Sequence, residues 1–158
     1  MIRGWSPSST TSDLDAVMIN DSRNVLVVED DGLIGLLLEE LLQGFGLRVV
    51  GPAFTSAIAE DIASHAAVDF ALLDVRLGED TSFATATILR ARSIPFAFLT
   101  GYDAKRLPAE FQGAATLQKP FNPERLQLLL RRFGLLDTAR QPVARDNCSL
   151  DPERAKAA

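Results

Sequence analysis

Short apolar runs alternate with longer amphipathic segments through the middle of the chain. The runs have strand length and are nearly all apolar, as in strands buried on both faces of a sheet; they are Val25–Val28, Arg48–Val50, Asp69–Leu73, Phe96–Leu99 and Ala115–Leu117. The segments that follow them have helical length; they are Leu33–Phe45, Ser56–His65, Thr81–Arg92, a shorter segment near Asp103–Gln112, and Pro123–Phe133. The pattern predicts five parallel strands, each followed by a helix.

The last predicted helix has the clearest signature, and the fourth has the weakest. Asn122 is suited to cap the last helix and Pro123 to its first turn, and apolar residues recur with helical spacing at Leu126, Leu129, Leu130 and Phe133. Pro108 interrupts the fourth segment, because proline has no N–H to donate, so this helix is limited to a turn or two.

Repeated strand–helix units require right-handed crossovers, and these place helices on both faces of the sheet. The sequence therefore predicts the α/β class, with a single doubly wound sheet of five parallel strands flanked by five helices. In such a sheet the ligand site lies beyond the carboxyl ends of the strands. The residues that follow each strand are therefore the candidates for chemistry.

The regular pattern is confined to residues 24–136, and 158 residues suit one domain. Residues 1–23 are rich in Ser, Thr and Asp, and residues 137–158 mix charge, proline and small residues without an apolar face. Neither end offers enough apolar surface to offset the entropy of ordering, so both are expected to be poorly ordered tails. Met18 is an alternative start of translation, which would remove residues 1–17.

Charge and cysteine content narrow the function classes. Sixteen basic residues stand against 21 acidic ones, a net charge of −5, which argues against direct binding to nucleic acid. One cysteine and one histidine exclude a zinc cluster and an internal disulfide. No apolar run has membrane-spanning length and the amino terminus lacks the build of a signal peptide, so we expect a cytoplasmic protein without membrane contact.

Acidic residues follow two of the predicted strands. Glu29, Asp30 and Asp31 come directly after the first strand, and Asp74 comes after the third. Asp31 is more simply the cap of the next helix. Two carboxylates about 4 Å apart repel by roughly 4 kcal/mol at an effective dielectric constant near 20, so Asp30 beside Asp74 requires a counter-charge. An all-oxygen ligand set of this kind suits Mg²⁺.

A hydroxyl and an ammonium group follow the remaining two strands. Thr100 closes the fourth strand and Lys119 closes the fifth. Each residue alone is more often a local cap or a solvated side chain. Together with the carboxylates they form the set that phosphoryl transfer to a protein carboxylate requires: a nucleophile, metal-binding acids, and donors for the phosphoryl oxygens.

The order VLVVEDD, LLD, LT and KPF at successive strand ends resembles the receiver domain of bacterial two-component response regulators, over residues 24–136. The resemblance implies a flavodoxin-like fold with strand order 2-1-3-4-5. It also implies site roles: Asp74 as phospho-acceptor and metal ligand, Asp30 as direct Mg²⁺ ligand, Glu29 as a mostly water-mediated ligand, Arg76 as a ligand through its backbone carbonyl, Thr100 as the switch hydroxyl, and Lys119 as the cation that contacts the phosphoryl group.

One position departs from the common receiver pattern. Thr116 stands three residues before the lysine, where most receivers have an aromatic switch residue. The sequence FLTGY, ending in Tyr102, instead resembles the FATGUY subgroup, many of whose members are single-domain regulators. The switch is therefore expected at Thr100, Gly101 and Tyr102, with loop packing as the alternative role of Tyr102.

The resemblance implies a single-domain regulator in a phosphorelay rather than an enzyme. Its phosphodonor would be a histidine kinase or a histidine phosphotransfer protein, and its output would be a downstream protein partner or onward phosphotransfer; a phosphorylation-linked dimer is compatible with it. One alternative is a pseudo-receiver that binds partners without phosphorylation. Another is a metal-dependent phosphatase with an aspartate nucleophile, but Arg76 occupies the position of its usual general acid.

Overall fold

The structure, a computed structural model, describes residues 22–101 and 107–137. In chain order the elements are β1 (Asn24–Val28), α1 (Gly32–Gly44), β2 (Arg48–Ala53), α2 (Ser56–His65), β3 (Phe70–Asp74), β4 (Arg76–Leu77), β5 (Asp80–Thr81), α3 (Phe83–Ala91), β6 (Phe96–Thr100), a 3₁₀ turn (Ala109–Phe111), β7 (Ala115–Gln118) and α4 (Pro123–Arg132). Over these ranges no helix is both long enough and apolar enough to span a bilayer.

The five longer strands form one parallel sheet in the order β2-β1-β3-β6-β7. This confirms the predicted fold and the strand order 2-1-3-4-5. The register pairs Asp74 with Leu99 and Thr100 with Gln118. The ends of β3, β6 and β7 therefore meet at one edge of the sheet, where the sequence predicts the site.

The strands are nearly all apolar because the sheet is covered on both faces. Alternate residues of β1 belong to different cores, with Leu26 and Val28 in one and Val25 and Val27 in the other. The first core includes residues of α2 and α3: Ala59, Ala63, Ala86 and Leu89. The second includes residues of α1 and α4: Leu38, Leu42, Leu126 and Leu130. Among the described residues, two helices therefore pack on each face of the sheet and bury it.

The predicted helix caps are confirmed. The Asp31 carboxylate accepts hydrogen bonds from the N–H groups of Leu33 and Ile34, at 2.9 and 3.2 Å, and so begins α1. Asn122 accepts from the N–H of Arg125 at 2.9 Å, and Pro123 opens α4. These side chains satisfy donors that the first turn of a helix leaves unpaired.

The prediction of five helices is wrong for the described residues, which form four α-helices and a single 3₁₀ turn, Ala109–Phe111. Pro108 is extended, with ψ of 151°, and its carbonyl accepts from the N–H of Phe111 at 2.8 Å to close the turn. Because Pro108 has no N–H and its ring disfavours a helical residue before it, no helix runs through it. Residues 102–106, which the predicted segment also covers, lie outside the described residues.

The prediction that the third helix begins at Thr81 is also wrong. Thr81 lies in β5, which pairs antiparallel with β4 to form a hairpin, and α3 begins only at Phe83. The two-residue turn of this hairpin has Gly78 at its first central position, with φ of +65°. That conformation favours glycine and is typical of tight hairpin turns.

Four phenylalanine rings pack together between α3, β6 and the 3₁₀ turn. The ring of Phe111 lies 5.5 Å from that of Phe83, 5.4 Å from that of Phe98 and 6.3 Å from that of Phe96, between centroids. The guanidinium of Arg90 lies 4.5 Å from the centre of the Phe111 ring. This aromatic cluster anchors the turn to the sheet, on the side where the sequence predicts a helix.

The edge strand β2 is irregular near its end. Its register with β1 shifts between Leu26 and Val28. Gly51 has φ of +104°, and a Cβ atom there would lie 2.8 Å from the backbone nitrogen of Ala53. Only glycine fits this position, and Pro52 follows it.

Candidate functional site

A lysine bridges two carboxylates at the carboxyl ends of the strands. The Lys119 ammonium donates to Glu29 Oε2 at 2.6 Å and to Asp74 Oδ2 at 2.8 Å. Its backbone N–H donates to the carbonyl of Thr100 at 2.7 Å, which fixes the lysine beside β6. The convergence of Asp74 and Lys119, which the sequence suggests from separate strand ends, is present in the structure.

Three carboxylates lie close enough to share one cation. Glu29, Asp30 and Asp74 each offer an oxygen, and these oxygens lie within 4.8 Å of one another. Glu29 is fully buried, Asp74 is partly buried and Asp30 is exposed. The fourth acidic residue, Asp31, caps α1 instead, as expected.

The other predicted site residues lie at the same edge of the sheet. Thr100 is the last residue of β6 and is 7% exposed, and Gly101 follows it at the surface. The backbone N–H of Arg76 donates to Asp74 Oδ1 at 3.3 Å, while its side chain is exposed. Tyr102 lies outside the described residues, so its role remains a prediction.

Burial dominates the electrostatics of Glu29. Burial and, to a smaller extent, the nearby Asp74 charge raise the pKa of this carboxyl, the hydrogen bond and charge of Lys119 lower it, and the net result is a pKa raised from 4.5 to about 7. Burial alone would lower the pKa of Lys119, but its hydrogen bonds to Asp74 and Glu29 and the charges of these carboxylates together outweigh that effect, so this pKa is raised. Lys119 therefore stays protonated, and the Glu29 carboxyl ionises less readily than an ordinary glutamate.

The donor set fits a small divalent cation. When ionised, the three carboxylates carry three negative charges against the single charge of Lys119. All the ligand atoms are oxygens, and carboxylate oxygens are the protein ligands that Mg²⁺ prefers. A hard cation would offset the excess negative charge and favour the ionised form of Glu29.

The hairpin of β4 and β5 is the part of the site that sequence reasoning missed. The Gly78 N–H at its turn donates to Asp30 Oδ2 at 2.8 Å. Strands of two residues are too short to show an alternating pattern. The signal that was available is the position of Gly78, between Leu77 and Glu79 in a run that suits a tight turn.

The sequence profile of the response regulator receiver domain matches residues 25–131. The chain belongs to this family. Residues 25–131 are therefore a response regulator receiver domain of a two-component system, and the fold and family predicted from the sequence are confirmed.

Several characterised proteins are similar to this receiver domain. The phyllosphere-induced regulator PhyR of Methylorubrum extorquens is 32% identical over 110 residues, which are 67% of this chain and 41% of PhyR. The solution structure of SdrG from Sphingomonas melonis is 34% identical, with a TM-score of 0.63 over 71% of this chain and 96% of SdrG.

A third relative contains a metal ion. The receiver domain of the sensor histidine kinase PA1611 of Pseudomonas aeruginosa, solved with a magnesium ion coordinated in its active-site cleft, is 27% identical, with a TM-score of 0.63 over 71% of this chain and 97% of that domain. The chain spans only 41% to 50% of the length of the first three curated relatives that it matches.

The raised pKa of Glu29 predicts a pH dependence of stability in the metal-free protein. Since the pKa is 4.5 for the ordinary group and about 7 in the fold, the folded state binds more protons between these values. Stability from this group is therefore complete below about pH 4.5 and is lost as the pH rises through about 7. We expect the loss to amount to about 3 kcal/mol.

Urea unfolding in the presence of a chelator measures this effect at a series of pH values. Glu29→Gln keeps an oxygen that accepts from Lys119 but does not titrate, so the wild-type free energy of unfolding, relative to this variant, should fall between about pH 4.5 and pH 7 and then level off. A difference that stays constant over that range would contradict the raised pKa.

Proposed function

We propose that this receiver domain accepts a phosphoryl group on Asp74, with Mg²⁺ bound by Glu29, Asp30 and Asp74. The observation that supports this most strongly is the Asp74 carboxylate, which lies 2.8 Å from the Lys119 ammonium and within 4.8 Å of two further carboxylates. A nucleophilic oxygen, a fixed cation and metal-binding oxygens are the requirements of phosphoryl transfer to a carboxylate.

In the proposed reaction an Asp74 oxygen attacks the phosphorus of a phosphohistidine. The new O–P bond forms as the N–P bond breaks, and the imidazole nitrogen keeps the electron pair of that bond. Lys119 contacts the transferred group as a fixed positive charge, and the Thr100 hydroxyl donates to one of its oxygens once the group is in place. Bound Mg²⁺ would supply the remaining positive charge that the phosphoryl oxygens require.

The Arg76 backbone carbonyl is proposed as a further metal ligand. Arg76 follows Asp74 by two residues and its N–H already donates to the Asp74 carboxylate. The chain is thereby held close to the carboxylates at this point. A neutral carbonyl oxygen would complete an all-oxygen ligand set without adding negative charge.

Thr100, Gly101 and Tyr102 are proposed as the switch. Movement of the Thr100 hydroxyl toward a phosphoryl group on Asp74 would displace the backbone that follows β6. Gly101 has no Cβ atom, and no described residue lies within 4 Å of the position that one would take, so no side chain at this position restricts the backbone. Tyr102 would move with it.

The proposed phosphodonor is a histidine kinase or a histidine phosphotransfer protein, and the proposed output is binding to a downstream protein or onward phosphotransfer. The single cysteine of the chain suits the reducing cytosol. The net charge of −5 favours a protein partner over direct contact with nucleic acid.

Magnesium is the cation proposed for the carboxylates of this site. The magnesium ion in the cleft of the PA1611 receiver domain supports this proposal.

Incubation with acetyl phosphate and Mg²⁺ tests the proposal. Phosphate is expected to enter the protein in an acid-stable, hydroxylamine-sensitive form, as an acyl phosphate does, and a chelator is expected to prevent it. Absence of phosphate in the folded protein, both from acetyl phosphate and from a phosphorylated histidine phosphotransfer protein, would instead favour an interaction module that works without phosphorylation.

The two neighbouring aspartates are expected to differ in their effect on Mg²⁺ binding. Asp30→Ala removes a metal ligand and should weaken Mg²⁺ affinity by at least about ten-fold. Asp31→Ala removes the cap of α1 and should instead cost about 1 kcal/mol of stability, with little change in affinity. Calorimetric titration with Mg²⁺ and urea unfolding measure the two quantities, and equal losses of affinity would reject this division of roles.

A further inference from the structure

The hairpin of β4 and β5 contacts the metal-binding carboxylates at one point and helix α2 at another. At its turn, the Gly78 N–H donates to Asp30 Oδ2 at 2.8 Å. In its second strand, the Asp80 carboxylate accepts from the Ser56 hydroxyl at 3.1 Å. Ser56 is the first residue of α2, which packs on the sheet through its buried residues Ala59 and Ala63.

The contact at Gly78 determines how Asp30 presents its oxygens. Asp30 is exposed, so without a partner its carboxylate would rotate freely and would lose entropy on binding a cation. The Gly78 N–H holds Oδ2 and thereby fixes the orientation of the carboxylate before a metal ion binds. Hydrogen bonds of this kind to a ligand commonly change metal affinity by about 10–100-fold, because they orient the ligand before binding.

The hairpin is too small to hold Gly78 in place by its own pairing. Its strands form the two residue pairs Arg76–Thr81 and Leu77–Asp80, and one more backbone hydrogen bond, from the Ser82 N–H to the Val75 carbonyl at 3.2 Å, closes its base away from the turn. Leu77 is buried and anchors the first strand, but both residues of the second strand are exposed. The hydrogen bond from Ser56 ties this exposed strand to a ten-residue helix.

We propose that Ser56 is a positioning residue for the Mg²⁺ site. Through Asp80 it holds the hairpin so that the Gly78 N–H orients the Asp30 carboxylate. Ser56 itself touches neither the metal nor the phosphoryl group. This role rests on the proposed function in one respect, namely that Asp30 binds Mg²⁺.

Mg²⁺ affinity, measured by calorimetric titration at fixed ionic strength, tests the proposal in four variants. Ser56→Ala removes the hydroxyl and should weaken Mg²⁺ binding by about three- to ten-fold. Ser56→Thr keeps a hydroxyl and should retain the wild-type affinity within about two-fold. Asp80→Asn keeps an acceptor oxygen for Ser56, so at an ionic strength high enough to screen the lost charge it should bind Mg²⁺ with the wild-type affinity.

The fourth variant is a matched control on the same helix. The Ser64 hydroxyl donates to the Glu60 carbonyl at 2.7 Å, within α2. Ser64→Ala removes an exposed serine hydroxyl without touching the hairpin, so it should leave Mg²⁺ affinity unchanged.

Amide hydrogen exchange at Gly78 in the metal-free protein provides a readout that does not depend on Mg²⁺. Ser56→Ala should increase this exchange rate, while Ser64→Ala should not. If wild-type protein binds Mg²⁺ and Ser56→Ala binds it equally well, the positioning role is wrong and the proposed function stands. If wild-type protein binds no Mg²⁺, both are wrong.

Discussion

Asp74→Asn is expected to reduce phosphate incorporation to background, under conditions in which the wild-type protein is fully labelled. The side chains have the same shape, and the asparagine oxygen still accepts from Lys119 or from the Arg76 N–H. An amide oxygen is a far weaker nucleophile than a carboxylate, so the O–P bond does not form. Labelling with a small phosphodonor and Mg²⁺, followed by acid quenching, measures the effect.

Asp31→Asn is the matched control for this variant. It makes the same change of carboxylate to amide at the same edge of the sheet, and asparagine caps a helix as well as aspartate does. It should therefore retain wild-type labelling. Hydroxylamine-sensitive phosphate that persists in Asp74→Asn at the wild-type rate would assign the acceptor to another carboxylate.

Phe111→Ala is expected to lower the free energy of unfolding by about 3–5 kcal/mol. The ring is 1% exposed and lies at the centre of the aromatic cluster. Its loss leaves a cavity and removes ring contacts that contribute beyond burial alone. It also removes the ring over which Arg90 lies, so the hydrogen bond from Arg90 to the Glu110 carbonyl would remain as a weaker link between α3 and the 3₁₀ turn. Urea unfolding in the presence of a chelator measures the stability.

Phe54→Ala provides the comparison for the aromatic cluster. Its ring is 46% exposed, so it should lose much less stability than the buried one. Similar losses in the two variants would mean that the rings around Phe111 do not anchor the 3₁₀ turn to the sheet. A large loss of stability in Phe111→Ala but not in Phe54→Ala would support the anchoring role of the aromatic cluster.

The sequence predicts the sheet and the centre of the site because both depend on local pattern. The apolar runs are strands because the sheet is buried on both faces, and their order along the chain determines which residues lie at strand ends. Asp74 and Lys119 are 45 residues apart, yet each follows such a run and the two side chains meet in the structure. The caps at Asp31 and Asn122 are equally local.

Features that depend on contacts between distant residues cannot be predicted from the local sequence pattern. Pro108 indicates that the predicted helix before β7 is interrupted. No sequence pattern indicates that Phe111 packs on rings from α3 and β6. Nothing in the sequence shows that Glu29 is fully buried and paired directly with Lys119. The hairpin at Gly78 is missed because two-residue strands have no periodicity.

The irregular end of β2 bears on how the protein behaves at high concentration. An exposed edge strand offers unpaired backbone groups to which a strand of another molecule can add, and this is a common route to aggregation. At the edge of this sheet, the shift in register and the positive φ of Gly51 bend the strand, and Pro52 brings no N–H to pair with an incoming chain. The residues that prevent a straight strand therefore also protect that end of the sheet from intermolecular strand addition.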